Sequence, residues 1–429
     1  MSALKAGLAK AIITPPVGTQ LSGYAGRTDP STGVFDDLYA KALVMDDGQT
    51  RIALVVCDLI GFGREMVAEI REAVTEQTGI RAEHTMITCT HTHCGPNLRE
   101  AGADYVSGLK SHIAGAVAAA SNRLVPARIG VGIGKCYTAC NRRHPNSPSG
   151  VYNLYRYPEG AMDPTVMVLR VEDLDGNILG VVTNYAGHPV GWGHRELMIS
   201  RDYPGFALSV LEKMWRPDVV AVFLQGCCGN LNLNWKWDRP ELSPIPRRDF
   251  PEEVEPRLRE LKRLGHMLGG ESLNVAESIM DFTAEASLSG MRRDVVLPVR
   301  KDLPEKMAER VEAIKEHLAA GETPDRRTAY HDIAEGKTTI TTEVQVLRIG
   351  EHYVVGLPSE VFVEYQIEVR ERVDAPFTFV SELANDTISY VPTPAAYEEG
   401  GYEERSTFLA PEAGGLLVNA AVELSQKLG

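Results

Sequence analysis

The alternation of short apolar runs with longer segments of helical periodicity constrains the fold of this chain more than any other feature. Apolar runs of strand length occupy residues 51–59, 84–90, 178–185 and 219–225. Apolar residues recur every three or four positions in segments 64–77, 105–122, 204–214 and 411–428. Strands that alternate with helices in this way predict an α/β fold, with mixed β-sheets flanked by helices.

The middle of the chain has a different pattern. Residues 252–319 are rich in Glu, Lys, Arg and Leu at helical spacing, interrupted by the strand-like residues 287–299. The polar residues 326–337 predict a loop, and from Thr342 the chain returns to a strand–turn–strand pattern with Gly350 at the turn. We interpret residues 1–429 as one large domain with a helical excursion around 252–338.

Composition excludes several kinds of partner. A formal net charge of −14 disfavours nucleic acids and anionic membrane surfaces, and no Lys/Arg run forms a basic patch. No apolar run approaches the ~20 residues of a membrane-spanning helix, so we expect no integral membrane segment. The N-terminus has no signal-peptide pattern, which predicts a cytoplasmic protein whose seven cysteines are reduced. The oligomeric state, including a homo-oligomer, stays open.

Two of the 11 histidines lie in the stretch TCTHTHCGP, residues 88–96. If the apolar strand continued through this stretch, His91 and His93 would project from one face and lie close to its end at Gly95-Pro96. Strand ends in α/β folds are where functional sites collect. Three interpretations remain open: a pair of metal ligands, a Cys94 nucleophile with a nearby histidine base, or an ordinary polar strand end.

A metal site needs further ligands, and two other strand ends offer them. His188 follows the apolar run that ends at Tyr185, and Glu360 follows the run that ends at Gly356. Glu360 has an equally good explanation as an ordinary acid in the first turn of a helix, where the helix dipole favours negative charge. The sequence contains no HExxH, paired CxxC or GxSxG motif.

Four motifs, in the same order, resemble the neutral and alkaline non-lysosomal ceramidases. They are an opening AGLAKAIITPPVGTQLSGYAG, the THTHCGP stretch, SRDYPG at 200–205, and the region from Ala384-Asn385-Asp386 through YVPTP at 390–394 to Tyr402-Glu403. The resemblance covers most of the chain. It implies that the single domain is catalytic and hydrolyses the C–N amide bond of a small-molecule acyl substrate with metal-activated water.

The resemblance also implies roles for individual residues. One Zn²⁺ per chain would be held by His91, His188, Glu360 and Tyr390. Arg142 would anchor the substrate, His93 would face it and pass a proton to the leaving group, and the hydroxyl of Tyr402 would lie near the scissile carbonyl. Asp202 would accept an N–H from a histidine or cap the helix that begins near Pro204. Cys94 and Asn141 would belong to the pocket or its surroundings.

This chain departs from the family pattern around the implied pocket. Cys94 replaces the usual serine, and GCCGNLN at 226–232 replaces a G-D-x-S-P-N element. We also expect the C-terminal sandwich domain of longer family members to be absent. These departures predict a small or medium polar acyl substrate in preference to long-chain ceramide. A zinc-dependent esterase or lactonase acting on a small polar or sugar-acid substrate, a cysteine hydrolase using Cys94, and a catalytically silent metal-binding protein remain as alternatives.

Overall fold

The computed structural model describes residues 3–147, 150, 152, 154–235, 254–320 and 328–429, and every structural statement below refers to these residues. The strands are β1 (Lys5–Ile12), β2 (Gly33–Val34), β3 (Tyr39–Asp46), β4 (Arg51–Cys57), β5 (Thr85–Cys89), β6 (Val125–Lys135), β7 (Ala139–Asn141), β8 (Thr165–Asp173), β9 (Ile178–Tyr185), β10 (Met198–Ile199), β11 (Val220–Gln225), β12 (Leu231–Leu233), β13 (Leu288–Pro298), β14 (Thr339–Ile349), β15 (His352–Gly356), β16 (Glu360–Val361), β17 (Thr378–Ser381) and β18 (Tyr390–Val391). The helices are α1 (Arg64–Thr78), α2 (Ala103–Asn122), α3 (Asp202–Met214), α4 (Val254–Ser278), α5 (Glu305–Ala319), α6 (Thr328–Ala334), α7 (Val363–Arg372), α8 (Pro394–Glu399), α9 (Tyr402–Arg405) and α10 (Ala413–Leu428).

An eight-stranded mixed sheet forms the centre of the fold, in the order β11-β9-β8-β6-β1-β3-β4-β5. The pairs β4–β5 and β9–β11 are parallel, and the other neighbours in this sheet are antiparallel. Every residue of β5 and β11 is buried, which explains why these strands are apolar throughout instead of alternating. The predicted α/β class with mixed sheets and flanking helices is confirmed.

A second sheet, in the order β13-β14-β15-β17, packs on one face of the large sheet. Leu54 and Val222 of the large sheet share an apolar cluster with Leu347 and Phe379 of the second. Helices α1 and α2 pack on the other face of the large sheet over β1 and β3–β5, and α3 and α4 pack there over β8, β9 and β11. Helix α10 covers the outer face of the second sheet. The result is a helix–sheet–sheet–helix layering.

The chain that follows β17 closes the gap between the two edge strands of the large sheet. The backbone N–H of Glu382 donates to Gln225 O on β11, and the N–H of Asn385 donates to Ile87 O on β5. The side-chain oxygen of Asn385 accepts the N–H of Ile87 in return, at 3.0 Å. These bonds bring the C-terminal part of the chain against the ends of strands that are encoded far upstream.

The predicted elements agree with the structure to within a few residues, with one error. Residues 326–337 were expected to form a loop, but α6 spans Thr328–Ala334. Its buried residues Ala329, Tyr330 and Ile333 pack into the core, and the polar residues between them hide that spacing. The excursion contributes β13 to the second sheet, while residues 252, 253 and 321–327 lie outside the described residues. The single-domain assignment stays a prediction.

None of the helices in the described residues is both long enough and apolar enough to cross a bilayer. No disulfide joins any of the seven cysteines, which are all buried within the described part of the chain.

Candidate metal centre

His91 and His93 lie beyond β5, which ends at Cys89. The expectation that strand alternation aligns their side chains is therefore wrong, and a bend in the backbone aligns them instead. His91 adopts a left-handed backbone conformation with φ +64°, which is uncommon for a residue with a side chain. The Nε2 atoms of the two rings are 3.4 Å apart, so the pair does converge.

His188 completes a cluster of three buried histidines. It follows β9, and its Nε2 lies 3.0 Å from the Nε2 of His93. One ring nitrogen from each of His91, His93 and His188 lies within 4.8 Å of the others, and the three side chains are 1%, 8% and 1% exposed. His93, which was expected to face the substrate, is thus part of the same cluster.

Glu360 and Tyr390 come from the C-terminal part of the chain. They are directly paired across the short parallel strands β16 and β18. Glu360 Oε2 lies 3.3 Å from His91 Nε2 and 3.8 Å from His188 Nε2. Glu360 belongs to β16 and precedes helix α7, so the alternative of an ordinary first-turn helix acid is wrong. Three residues of the implied ligand set, His91, His188 and Glu360, therefore lie together with His93, and Tyr390 hydrogen-bonds to Glu360.

The backbone near this cluster is unusually strained. In addition to His91, the non-glycine residues Ser359, Leu383 and Asn385 have φ of +76°, +54° and +63°. Ser359 immediately precedes Glu360, and the other two lie in the segment that joins the edge strands. Such conformations cost of the order of 1–3 kcal/mol each and concentrate where function requires a particular side-chain position.

Hydrogen bonding and burial set the protonation of the histidines. The Nδ1 of His91 lies 2.8 Å from the carbonyl oxygen of Ile60, which can only accept, so Nδ1 carries the proton and Nε2 faces the cluster. Burial and the neighbouring positive charges hold the pKa of His93 and of His188 well below the usual value. Burial also lowers the pKa of His91, but the Glu360 carboxylate outweighs it and raises that pKa overall.

The donor set fits a divalent zinc ion. Imidazole nitrogens and carboxylate or phenolate oxygens suit zinc, and two ligands about 2.0–2.1 Å from a tetrahedral ion lie roughly 3.3 Å apart. Between members of the implied ligand set, Glu360 Oε2 lies 3.3 Å from His91 Nε2 and 3.8 Å from His188 Nε2. Glu360 Oε2 is buried, and no hydrogen-bond donor reaches it among the described residues. A cation is the partner that such an oxygen lacks.

Arg142 lies beside the cluster, but most of its N–H groups donate hydrogen bonds to other protein groups. It is 3% exposed, and its Nε donates to Glu403 at 2.8 Å. Its Nη2 donates to Gly229 O at 2.7 Å and to the Tyr390 hydroxyl at 3.4 Å. The predicted role of Arg142 as substrate anchor stays a prediction. Glu403, the second residue of the Tyr402-Glu403 motif, is fully buried, and no local sequence pattern indicates its role.

Tyr402 lies at the edge of the site. Its ring centroid is 5.7 Å from that of Tyr390, in an edge-on arrangement. The residue is 40% exposed, and its role near the scissile carbonyl stays a prediction.

Asp202 has neither of its expected partners. Among the described residues its carboxylate contacts no histidine, and no side-chain cap forms at the start of α3. Instead it accepts the N–H groups of Tyr203 at 2.7 Å and Trp192 at 3.2 Å, which ties the loop after His188 to the start of α3. The physical reason is the φ of +58° at Asp202, which directs its side chain towards that loop.

The surroundings of Cys94 and Asn141 indicate structural roles. Cys94 is fully buried, and burial raises the pKa of its thiol, which is the opposite of what a cysteine nucleophile needs. Asn141 donates to Ala161 O at 2.8 Å and accepts the N–H of Arg143 at 2.9 Å, so it orders the loop that carries Arg142.

An N-terminal loop, for which the sequence predicts no role, contacts His93 from the other side of the cluster. Arg27 donates to His93 O at 2.7 Å and to Gly193 O at 3.0 Å. Gly23 lies against the His93 ring: a Cβ at this position would be 2.4 Å from His93 Cγ. The loop therefore fixes both the backbone and the ring of His93.

A cleft of about 1100 Å³ includes His91 and Glu360 among its lining residues. Its walls include Glu65 and Glu69 from α1 and Lys110 from α2. Lys110 and Glu69 form an ion pair between the two helices. The cleft thus connects the cluster with a surface rich in charged side chains.

The fold and the site together define an α/β protein with a buried histidine cluster that fits a metal ion and opens into a large cleft. The family model described as neutral/alkaline non-lysosomal ceramidase, N-terminal, matches residues 4–238, more than half of the chain, and the chain belongs to this family.

Relatives over nearly the whole length agree with this assignment. The neutral ceramidase of Pseudomonas aeruginosa is 25% identical over 98% of this chain and 72% of its own length. The neutral ceramidase of Mycobacterium tuberculosis is 23% identical over 95% of this chain and 74% of its own length. The crystal structure of the Pseudomonas aeruginosa enzyme superimposes with a TM-score of 0.77, at 20% identity, over 100% of this chain and 75% of that one. The structural likeness supports the fold.

Proposed function

We propose that this protein is a zinc-dependent amidohydrolase that cleaves the C–N bond of an N-acyl substrate. The observation that carries the proposal is the convergence of the His91, His93 and His188 ring nitrogens with the unsatisfied oxygen of Glu360 beside a large cleft. Membership of the neutral and alkaline ceramidase family supports hydrolysis of an amide bond.

Four residues would hold the ion: His91, His188, Glu360 and Tyr390. When bound, zinc would supply Lewis acidity, which lowers the pKa of a coordinated water towards ~7 and polarises an acyl oxygen. Burial lowers the pKa of His93, so its neutral Nε2 can take a proton from the attacking water and return it to the departing amine. Tyr402, partly exposed beside Tyr390, would donate its hydroxyl to the acyl oxygen as negative charge builds there.

The cleft walls favour a polar acyl substrate. Glu65, Glu69 and Lys110 line the cleft, together with apolar residues that include Met66 and Val106. A long alkyl chain in this cleft would cover these charged groups, which is unfavourable. We therefore propose short or medium N-acyl amines in preference to long-chain ceramide. No observation favours esters or lactones, and they serve as control substrates.

Metal analysis and a substrate panel test the proposal. The purified protein should hold about one zinc per chain, and His93→Ala should keep the metal but lose turnover. Loss of zinc in His93→Ala would make His93 a ligand. The panel compares kcat/KM for short N-acyl amides, long-chain ceramide, and matched esters and lactones. Turnover of ceramide well above the short amides would overturn the polar-substrate proposal, and metal-loaded protein that cleaves no amide would overturn the function.

Arg142→Lys separates an anchoring role from a supporting one. Lysine keeps the charge but loses the planar fork that binds carboxylate or hydroxyl oxygens in pairs. If Arg142 contacts substrate, KM should rise for substrates that carry such oxygens and should change little for those that lack them. An equal loss of kcat on both substrate types would indicate that Arg142 acts only through its protein partners.

A further inference from the structure

The cleft that includes Glu360 has two further polar atoms without a hydrogen-bond partner. The hydroxyl oxygen of Thr387 and the Nε2 of His331 are both buried, and nothing in the described part of the chain bonds to either atom. Both residues line the cleft, as Glu360 does. Buried polar groups in folded proteins are nearly always paired, so unpaired ones that share a cleft indicate positions where a bound molecule supplies the partner.

Thr387 lies next to the candidate metal centre. Gly61 approaches it so closely that a Cβ at residue 61 would overlap the hydroxyl oxygen of Thr387. Gly61 follows Ile60, whose carbonyl oxygen lies 2.8 Å from His91 Nδ1. A substrate whose scissile bond lies at the metal centre would therefore bring a neighbouring substituent to Thr387.

His331 comes to the same cleft from helix α6. Two other residues of this helix, Ala329 and Asp332, line a smaller cavity of about 260 Å³, and Thr387 lines that cavity as well. Helix α6 and Thr387 are thus neighbours in both spaces. The helical excursion therefore supplies the part of the cleft wall that lies beside Thr387.

The charge of the cleft wall favours an uncharged group as the partner of these atoms. Four Arg or Lys side chains and four Glu side chains are among the described residues that line the cleft, so their formal charges cancel. A threonine hydroxyl both donates and accepts a hydrogen bond, and an imidazole nitrogen does one or the other according to its tautomer. A hydroxyl group of a ligand can pair with both in either tautomer, whereas a carboxylate only accepts and an ammonium only donates.

We propose that Thr387 and His331 form a subsite that binds a hydroxyl group of the substrate and so determine which N-acyl amines are cleaved. This inference rests on the proposed function, because it takes the scissile amide to lie at the metal centre. It narrows the substrate class from polar N-acyl amines to those that carry a hydroxyl within reach of the two residues.

Two residues outside the cleft provide matched controls. Thr378 Oγ1 and His352 Nδ1 are also buried and have no hydrogen-bond partner within the described ranges, but neither residue is among those that line the cleft. Thr→Val and His→Phe substitutions replace a polar atom by an apolar one of similar size at each position. No protein hydrogen bond of these atoms is lost in the variants. A change in substrate preference that is confined to the cleft pair therefore reports contact with substrate.

The experiment measures kcat/KM for pairs of short N-acyl amides that differ only in one hydroxyl replaced by hydrogen, with the hydroxyl in the acyl part or in the amine part. For one pair, the unmodified protein should favour the hydroxylated member by about 10- to 100-fold, because its hydroxyl pairs buried groups that otherwise have no partner. Thr387→Val and His331→Phe should each bring this ratio down towards one. Thr387→Ser keeps the hydroxyl and should keep the ratio, as should Thr378→Val and His352→Phe.

A ratio near one for every pair in the unmodified protein would overturn the inference, and so would a ratio that survives both Thr387→Val and His331→Phe. The two substitutions lie in different elements, so if one variant does not fold, the other decides. If the protein cleaves neither member of any pair, the proposed function fails. The ratio of dissociation constants for the same pairs, measured by calorimetry, then decides whether the hydroxyl subsite exists.

Discussion

Substitution of Gly23 by alanine tests whether the position of the His93 ring controls activity. A Cβ at residue 23 would lie 2.4 Å from Cγ and 2.5 Å from Nδ1 of His93. Carbon atoms in contact lie about 3.5–4.0 Å apart, so the ring must move by roughly 1 Å. A misplacement of about 1 Å in an active site can cost ~10²-fold in rate, and we expect Gly23→Ala to lower kcat by about that factor.

Gly18→Ala is the matched control for backbone strain. Gly18 has φ +95° and Gly23 has φ +97°, but a Cβ at Gly18 would meet no atom within 4 Å. An L-residue in this region costs roughly 1–2 kcal/mol, so Gly18→Ala should lose about this much unfolding free energy in urea titrations and Gly23→Ala at least as much. Gly18→Ala should nevertheless retain its kcat on the best N-acyl substrate of the panel. If both variants turn over at the same rate, the claim that Gly23 sets the His93 ring is refuted.

Five further substitutions have defined outcomes. His91→Ala and His188→Ala should each strip zinc while circular dichroism stays largely unchanged, and full zinc occupancy in both would contradict the ligand set. Tyr390→Phe should weaken zinc binding or turnover sharply, whereas the loss of a structural hydrogen bond alone would change only stability, by ~1 kcal/mol. Cys94→Ser should retain most activity, because burial raises the pKa of the thiol and the proposed nucleophile is water; complete loss of activity with zinc retained would support a cysteine mechanism. Burial raises the pKa of Asp386 to about 6, so its protonated form favours the folded state below the unfolded-state pKa of 3.8 and this contribution is lost as pH rises through about 6. Relative to Asp386→Asn, the unmodified protein should therefore lose up to about 3 kcal/mol of unfolding free energy between pH 4 and pH 7, and parallel pH profiles would contradict this.

The strands and helices were predictable where their burial produces a simple pattern of apolar residues in the sequence. Strands β9 and β11 read as apolar runs because most or all of their residues are buried. Helix α1 shows its spacing because buried residues recur along one side of it. Helix α6 was missed because its buried residues are separated by polar ones, and composition alone then resembles a loop.

The site was harder to predict from the sequence, because tertiary structure brings its residues together. The proximity of His91 and His93 was expected from strand alternation, but it arises from a left-handed residue after the strand ends, which no spacing rule describes. The pairing of Glu360 with Tyr390 depends on two short strands whose contact is set by the whole C-terminal half, and only the family resemblance suggested it. The contacts of Glu403 are with two arginines from a distant strand end, so no local signal in the sequence indicates them.

The proposed ligands come from distant parts of the chain, and this has a consequence for how the protein matures. The histidines at positions 91 and 188 are synthesised long before Glu360 and Tyr390, and at about 5–20 residues per second the interval between His91 and Tyr390 lasts roughly 15–60 s. During that interval a nascent chain has histidine donors but lacks the oxygen donors, so it can bind zinc only weakly. If the centre binds zinc as proposed, the contacts that complete it are long-range, and loop-closure entropy makes such contacts slow to form. Zinc that is present while the chain refolds should therefore leave the early collapse unchanged and suppress unfolding of the finished protein.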